Sequence, residues 1–134
     1  MKLKVRDATI IEVHLPIRTV SEANVRECWQ AKHRRAKGQK EAVGLMLNRY
    51  RRSLQAHGGR FYVTLTRVGV RKLDGDNLQR SFKAIRDQVA ETIGIDDGSE
   101  RIEWKYAQGK GKYGVKVTIE INHQRLTEPE RTRK

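Results

Sequence analysis

The chain of 134 residues has little cysteine and no long apolar run, and each shortage excludes a class of protein. Its only cysteine, Cys28, excludes an intramolecular disulfide and a zinc site built on thiolates. No stretch approaches the roughly 20 apolar residues of a membrane-spanning helix, and residues 1–16 lack the apolar core of a signal peptide. We therefore expect a cytoplasmic protein without a membrane partner.

Acidic residues are also few, because 16 Asp and Glu accompany 29 Lys and Arg and leave a net charge of +13. Their distribution is uneven. Residues 74–103 hold eight of the 16 acids, whereas residues 18–60 hold eleven basic residues and three acidic ones. Since non-specific nucleic-acid binding is mostly neutralisation of phosphates, this excess predicts a polyanionic partner. The length fits one domain, placed at residues 1–122, with a charged tail at 123–134.

Residue periodicity predicts a mixed α/β (α+β) domain, in which a small mixed sheet of about four strands packs with two main helices. Alternating or β-branched segments place the strands at residues 8–15, 60–68, 101–108 and 113–121. Residues 109–113, between the last two strands, have the composition of a hairpin loop. A helix over residues 77–93 has one apolar stripe, which we expect to pack on the sheet, consisting of Leu78, Phe82, Ile85, Val89 and Ile93.

A second helical region precedes the strand at residues 60–68. Ser21 or Asn24 could cap its start, and good helix formers continue to about residue 54 with an interruption expected near Gly38. Trp29, near the start, is more typical of a core anchor than of a wedge that stacks on DNA bases. The second half carries residues at helical spacing that we expect to face the core: Val43, Met46, Leu47, Tyr50 and Leu54.

Two aspartate clusters flank the helix at residues 77–93. Asp74 and Asp76 precede it, and Asp96 and Asp97 follow it. Each aspartate could be structural, because Asp is common in turns and at helix starts. Hard oxygen ligands at two element ends, facing a basic region, are nevertheless what magnesium-dependent phosphodiester hydrolysis requires. The clusters therefore predict a Mg²⁺ site whose carboxylates converge.

Three segments in this region resemble the RusA family of Holliday junction resolvases: Asp74-Gly75-Asp76-Asn77-Leu78, Lys83-Ala84-Ile85-Arg86-Asp87 and Gly94-Ile95-Asp96-Asp97. The resemblance covers roughly residues 8–121. It implies a domain that is usually a homodimer and that uses Mg²⁺ to cut four-way junctions or related branched DNA in recombination and repair.

The same resemblance assigns residues to roles. It implies that Asp74, Asp76 and Asp97 are catalytic metal ligands, with Asp96 as a rival ligand. The essential basic residue matches Lys83 by residue type and Arg80 by counting from Asp76, and we prefer Lys83. Residues expected to hold the DNA, mainly through its phosphates, are Arg26, Lys32, Arg34, Arg35, Lys37, Lys40 and Arg80.

Two other functions fit the same residues. A non-catalytic nucleic-acid-binding protein would account for the basic surface and leave the aspartates without a role in chemistry. A ribosome-associated or assembly protein could use the aspartates to hold a structural divalent ion. Only the nuclease requires metal-dependent cleavage of DNA.

Overall fold

The computed structural model describes residues 2–5, 8–17, 19 and 28–122. In chain order the elements of these ranges are β1 (Lys2–Val5), β2 (Ala8–Leu15), α1 (Trp29–Leu47), α2 (Arg51–Ala56), β3 (Phe61–Gly69), α3 (Gly75–Ser81), α4 (Lys83–Ile93), β4 (Ile102–Lys110) and β5 (Gly114–Asn122). A 3₁₀ turn over Asn48–Tyr50 joins α1 to α2. The predicted class, a mixed sheet packed with helices, is confirmed. The predicted tail at 123–134 lies outside the described ranges.

The sheet has the strand order β1-β2-β5-β3-β4, with β3 and β4 parallel and the other neighbours antiparallel. One row of paired residues crosses four neighbouring strands, from Val13 in β2 through Val117 in β5 and Leu65 in β3 to Tyr106 in β4. Apolar side chains of this face are buried under the helices, and β3 alternates between buried and half-buried residues along its length. The four strands expected from the sequence are all present, and β1 adds a short fifth strand at the edge.

The predicted hairpin between the last two strands is wrong. β4 and β5 do not pair with each other, because β3 lies between them. Residues 111–113 cross the end of β3, where the Gly111 N–H donates to the Gly69 carbonyl at 3.1 Å. Three residues suffice, since two strand spacings are about 9.6 Å and the four Cα steps can extend to about 13 Å.

The first helix also differs from its prediction. α1 is unbroken at Gly38, which is exposed, and the helical region changes geometry at the 3₁₀ turn instead. A single exposed glycine costs a helix only about 1 kcal/mol, and packing of the flanking turns offsets it. The N-cap is Cys28, and the candidate caps Ser21 and Asn24 fall in a part of the chain that the structure does not describe.

Helix α1 packs on α4 through a narrow stripe. Its buried residues, Gln39, Val43 and Leu47, recur every four positions, so Met46 falls beside the stripe and is 42% exposed rather than in the core. Tyr50 and Leu54 are buried as predicted. The two helices approach closely at Gly44, where a Cβ would stand 3.3 Å from Gln88 Nε2 and would displace that side chain by a few tenths of an ångström.

The helix predicted at residues 77–93 forms two helices, α3 and α4. The break is at Phe82, whose backbone has φ −100° and ψ 4° and whose ring is fully buried. All five residues of the predicted apolar stripe are buried, so the break does not change which side of the segment packs on the sheet. Gly94, in the left-handed conformation at φ 89°, ends α4 as expected.

The segment from β3 through α3 and α4 to β4 is a crossover between parallel strands. It places Asp74 just after the carboxyl end of β3 and at the start of a helix. In open α/β sheets this end of the strands is where ligands usually bind. None of the helices in the described ranges combines the length and hydropathy that a bilayer-spanning segment needs.

Candidate nucleic-acid groove and aspartate turn

A groove of about 1110 Å³ separates α1 from the end of α3 and the start of α4. Its lining along α1 extends from Trp29, the first residue of the helix, to Asn48, just past the last, about 28 Å at 1.5 Å per residue. That length corresponds to about eight base-pair steps of 3.4 Å. Six basic side chains and two carboxylates line it: Lys32, Arg35, Lys37, Lys40, Arg80 and Lys83, with Glu41 and Asp87. The groove is therefore positive on both walls and long enough for a nucleic-acid backbone.

Most of the predicted DNA-binding residues lie in this groove. Arg34 is exposed but does not line it. Arg26 lies outside the described residues. The expectation that Trp29 anchors the core is wrong, because its side chain is 71% exposed and lines the groove. The reason is its position in the first turn of α1, whereas the buried stripe of that helix begins at Gln39.

Asp74 and Asp76 form the aspartate turn at the start of α3. Asp74 is the N-cap, and its Oδ1 accepts a hydrogen bond from the Asn77 N–H at 3.0 Å. Asp76 lies in the first turn and is exposed. Both carboxylates are favoured there by the helix dipole. Asp76 lies one helical turn from Arg80, which lines the groove, so the turn adjoins one wall of the groove.

Two residues that the sequence analysis did not single out hold the loop before this turn. Arg67, only 6% exposed, donates to the Thr19 hydroxyl at 3.1 Å and to the Arg71 carbonyl at 2.6 Å. The Gln108 amide donates to the Leu73 carbonyl and accepts from the Leu73 N–H, both at 2.8 Å. These bonds fix the path of the loop on both sides. For Arg67, the sequence does hold a signal, because it follows Phe61, Val63 and Leu65 at the alternate positions of β3 that predict a buried side chain.

The second aspartate cluster is bonded to its own surroundings. Asp96 Oδ2 accepts from the Gly98 N–H at 3.0 Å. The guanidinium of Arg86 donates to Asp97 Oδ2 and to the Asp97 carbonyl, both at 3.2 Å, and to the Tyr106 hydroxyl at 2.7 Å. It also stacks 4.7 Å from the ring centroid of Trp104. Arg86 is therefore the positive partner of Asp97.

Both clusters lie along one side of the edge strand β4. Trp104, Tyr106 and Gln108 occupy alternate positions of β4, so their side chains point to the same face of the sheet. Trp104 Nε1 donates to the Asp97 carbonyl at 2.9 Å. Gln108 is hydrogen-bonded to Leu73, the residue before Asp74. The Cα atoms of Trp104 and Gln108 are about 13 Å apart along the strand. Arg86 is bonded to Tyr106, which lies between these two residues on the strand. Among the described residues no three His, Cys, Asp or Glu side chains are close enough to hold one metal ion.

The carboxylates of the aspartate turn suit Mg²⁺. This ion keeps several water ligands and is commonly held by one or two carboxylates together with substrate phosphates. Asp74 and Asp76, two exposed carboxylates in one turn, fit that requirement. Among the described residues Asp97 does not complete a group of three acidic side chains with them, and its carboxylate is bonded to Arg86. The convergence of three carboxylates therefore stays a prediction, whereas the pair at the turn matches the chemistry of the ion.

The two candidates for the basic residue occupy different places on the groove wall. Arg80 is in the last turn of α3, and Lys83 is the first residue of α4. Both side chains are exposed and line the groove. Lys83 Nζ lies 3.5 Å from Asp87 Oδ2, a contact between partly solvated groups that contributes little to stability. Both residues can therefore turn towards a bound phosphate.

Comparisons with known proteins add no assignment to these observations. No protein-family model and no curated protein matches the chain. The groove, the aspartate turn and the residues around them therefore carry any statement of function. Among the residues around the aspartates, Arg86 is the hardest to predict from the sequence, because its local pattern is that of an exposed helical arginine. Its contacts with Trp104 and Tyr106 depend on the position of β4 in the fold.

Proposed function

We propose that the protein is a magnesium-dependent endodeoxyribonuclease that cuts four-way junctions or related branched DNA. One observation supports this most directly. A groove with basic walls is adjoined by a turn that presents two exposed carboxylates at the carboxyl end of a strand. The first feature suits a phosphate backbone, and the second suits a hard divalent cation.

The residues of the groove would hold the DNA through its phosphates. Lys37 and Lys40 line the α1 side of the groove and Arg80 and Lys83 line the other side, so a strand lying in it would meet positive charge on both sides. Such contacts fix position and carry no sequence information, because every nucleotide presents the same phosphate. The shape of the DNA, rather than its base sequence, would then decide which substrates bind.

At the turn, Asp74 and Asp76 would hold Mg²⁺ next to the bound phosphate. The ion supplies Lewis-acid polarisation of the phosphate and lowers the pKa of a bound water. Asp74 keeps its orientation because the Asn77 N–H and the clamped loop fix it. Lys83, or Arg80, would stabilise the negative charge that develops on the phosphate oxygens. The family resemblance adds a homodimer, in which two such turns would make paired cuts.

The experiment is a panel of DNAs of equal length: four-way junction, replication fork, duplex and single strand. Each is incubated with the protein in Mg²⁺ and in EDTA, and binding is measured in EDTA. We expect cleavage of a branched DNA in Mg²⁺ alone, with binding retained in EDTA. Binding without cleavage of any member of the panel would reject the nuclease.

A non-catalytic DNA-binding protein is the second candidate. It is favoured by the structural roles of the aspartates, since Asp74 caps α3 and Asp97 pairs with Arg86. Calorimetric titration with Mn²⁺ separates the two. The nuclease requires saturable binding that Asp76→Asn weakens, and the binding protein predicts no such site.

A further inference from the structure

An exposed aromatic pair marks one end of the groove. The Trp29 indole stacks on the His33 imidazole with ring centroids 5.1 Å apart and an interplanar angle of 11°. The two residues are four apart on α1, the spacing that places side chains on one helical face. One face of the indole is covered by His33, yet the residue is 71% exposed. The other face of the indole is therefore open to solvent.

Folding stability does not account for this pair. A buried tryptophan side chain stabilises the folded state because its apolar area is removed from water, but Trp29 is mostly exposed and contributes little in this way. Its position has a different consequence. Trp29 and His33 line the groove, and Lys37 and Lys40 follow them along the same wall. An aromatic surface thus continues directly into a positive one.

Proteins that bind single-stranded nucleic acid combine these two features, a basic groove for the backbone and aromatic side chains on which bases stack. In a continuous duplex both faces of each base are covered by its neighbours. A protein ring can reach a base face only where the base is unpaired, at a flap, a branch point or a strand end. The groove is also concave with basic residues on both walls, which suits a strand better than a flat anionic membrane.

We propose that Trp29, supported by His33, stacks on an unpaired nucleobase whose backbone phosphates lie in the groove. This proposal rests on the proposed function of the groove as a DNA site, and it adds the class of substrate: DNA with an unpaired base near the bound phosphates. It does not depend on cleavage, because the contact needs no metal ion.

The test measures binding in EDTA by fluorescence anisotropy. The labelled DNAs are an oligothymidylate, a blunt duplex of the same length and that duplex with a single-stranded flap. The protein is compared with Trp29→Ala, Trp29→Phe and a control on the same helix, Met46→Ala, which alters an exposed apolar side chain outside the groove. Anionic phospholipid vesicles serve as a further binding target.

We expect Trp29→Ala to weaken binding of the oligothymidylate and the flap about tenfold, and binding of the blunt duplex less than twofold. Trp29→Phe should keep most of the affinity, because a phenyl ring can still stack, and Met46→Ala should match the unmodified protein. The slope of affinity against salt should not change, since the phosphate contacts are intact.

Equal losses on single strand and duplex, or no loss, would overturn the stacking role while leaving the groove as a DNA site. Failure of the unmodified protein to bind any of the DNAs would overturn both proposals. If Trp29→Ala weakens vesicle binding and leaves DNA binding unchanged, the residue faces a membrane and the stacking role is likewise rejected.

Discussion

Replacement of Arg86 by alanine tests the contacts that join α4 to the edge strand β4. The substitution removes both hydrogen bonds to Asp97, the hydrogen bond to the Tyr106 hydroxyl and the stacking over Trp104. No other described side chain donates to the Asp97 carboxylate. The variant therefore also leaves a half-exposed carboxylate without its positive partner.

The loss in the free energy of unfolding follows from these contacts. The pairing with Asp97 is partly solvated, with side-chain exposures of 29% and 41%, so it contributes about 0.5–1 kcal/mol. The bond to Tyr106 contributes about 1 kcal/mol. Stacking of the guanidinium on Trp104 contributes about 0.5–1 kcal/mol. We expect a loss of about 2–3 kcal/mol, equivalent to a fall in Tm of roughly 8–12 °C for a chain of this length.

Thermal and urea unfolding in EDTA, followed by circular dichroism, measure this loss. Lys83→Ala is the matched control, because its contact with Asp87 belongs to a lysine side chain that is 81% exposed and should change stability by less than about 0.5 kcal/mol. If Arg86→Ala is no less stable than Lys83→Ala, the bonds to β4 do not hold the second aspartate cluster, and the reasoning about Asp97 fails.

Two further predictions concern the walls of the groove. The double change Lys37→Ala and Lys40→Ala should reduce the slope of log K against log salt for DNA binding by about 1.8, because each phosphate contact contributes about 0.9 to that slope. Fluorescence anisotropy at several salt concentrations measures the slope, and an unchanged slope would show that the DNA binds elsewhere. In single-turnover cleavage, Lys83→Ala should lose more rate than Arg80→Ala, and the reverse order would give the charge-stabilising role to Arg80.

Sequence periodicity predicted those parts of the fold in which one face is buried. The alternation of β3 and the apolar stripe from Leu78 to Ile93 appear in the structure as expected, because burial of one face imposes the period directly. The stripe survives the break at Phe82, since the residues on both sides keep the same face towards the sheet.

Long-range pairing could not be predicted in the same way. Insertion of β3 between β4 and β5 is a tertiary event, and the local pattern of residues 109–113 is the same for a hairpin as for a crossing over a strand end. Gly38 and Met46 were misassigned because helix packing, rather than local propensity, decides where a helix bends and which stripe is buried.

For the candidate site, the sequence predicted most of the basic residues that line the groove and the aspartates that begin α3. It did not predict the surroundings that fix them. Gln108 holds the loop before Asp74 and Arg86 holds Asp97 through contacts between residues 35 and 11 positions apart, and Arg67 bonds to Thr19 across 48 positions. Such contacts depend on the strand order and leave no periodic signal.

Cleavage of a four-way junction by Asp76→Asn tests the central claim most directly. The variant keeps the size of the side chain and removes its charge, and the exposed Asp76 side chain makes no hydrogen bond or ion pair with the described residues. Glu103→Gln, an exposed carboxylate on β4, is the control. We predict that Asp76→Asn abolishes Mg²⁺-dependent cleavage while junction binding persists, that Tm falls by no more than about 4 °C through the lost charge at the helix start, and that the control cuts normally. Full cleavage by Asp76→Asn would contradict the assignment of the aspartate turn as the catalytic metal site.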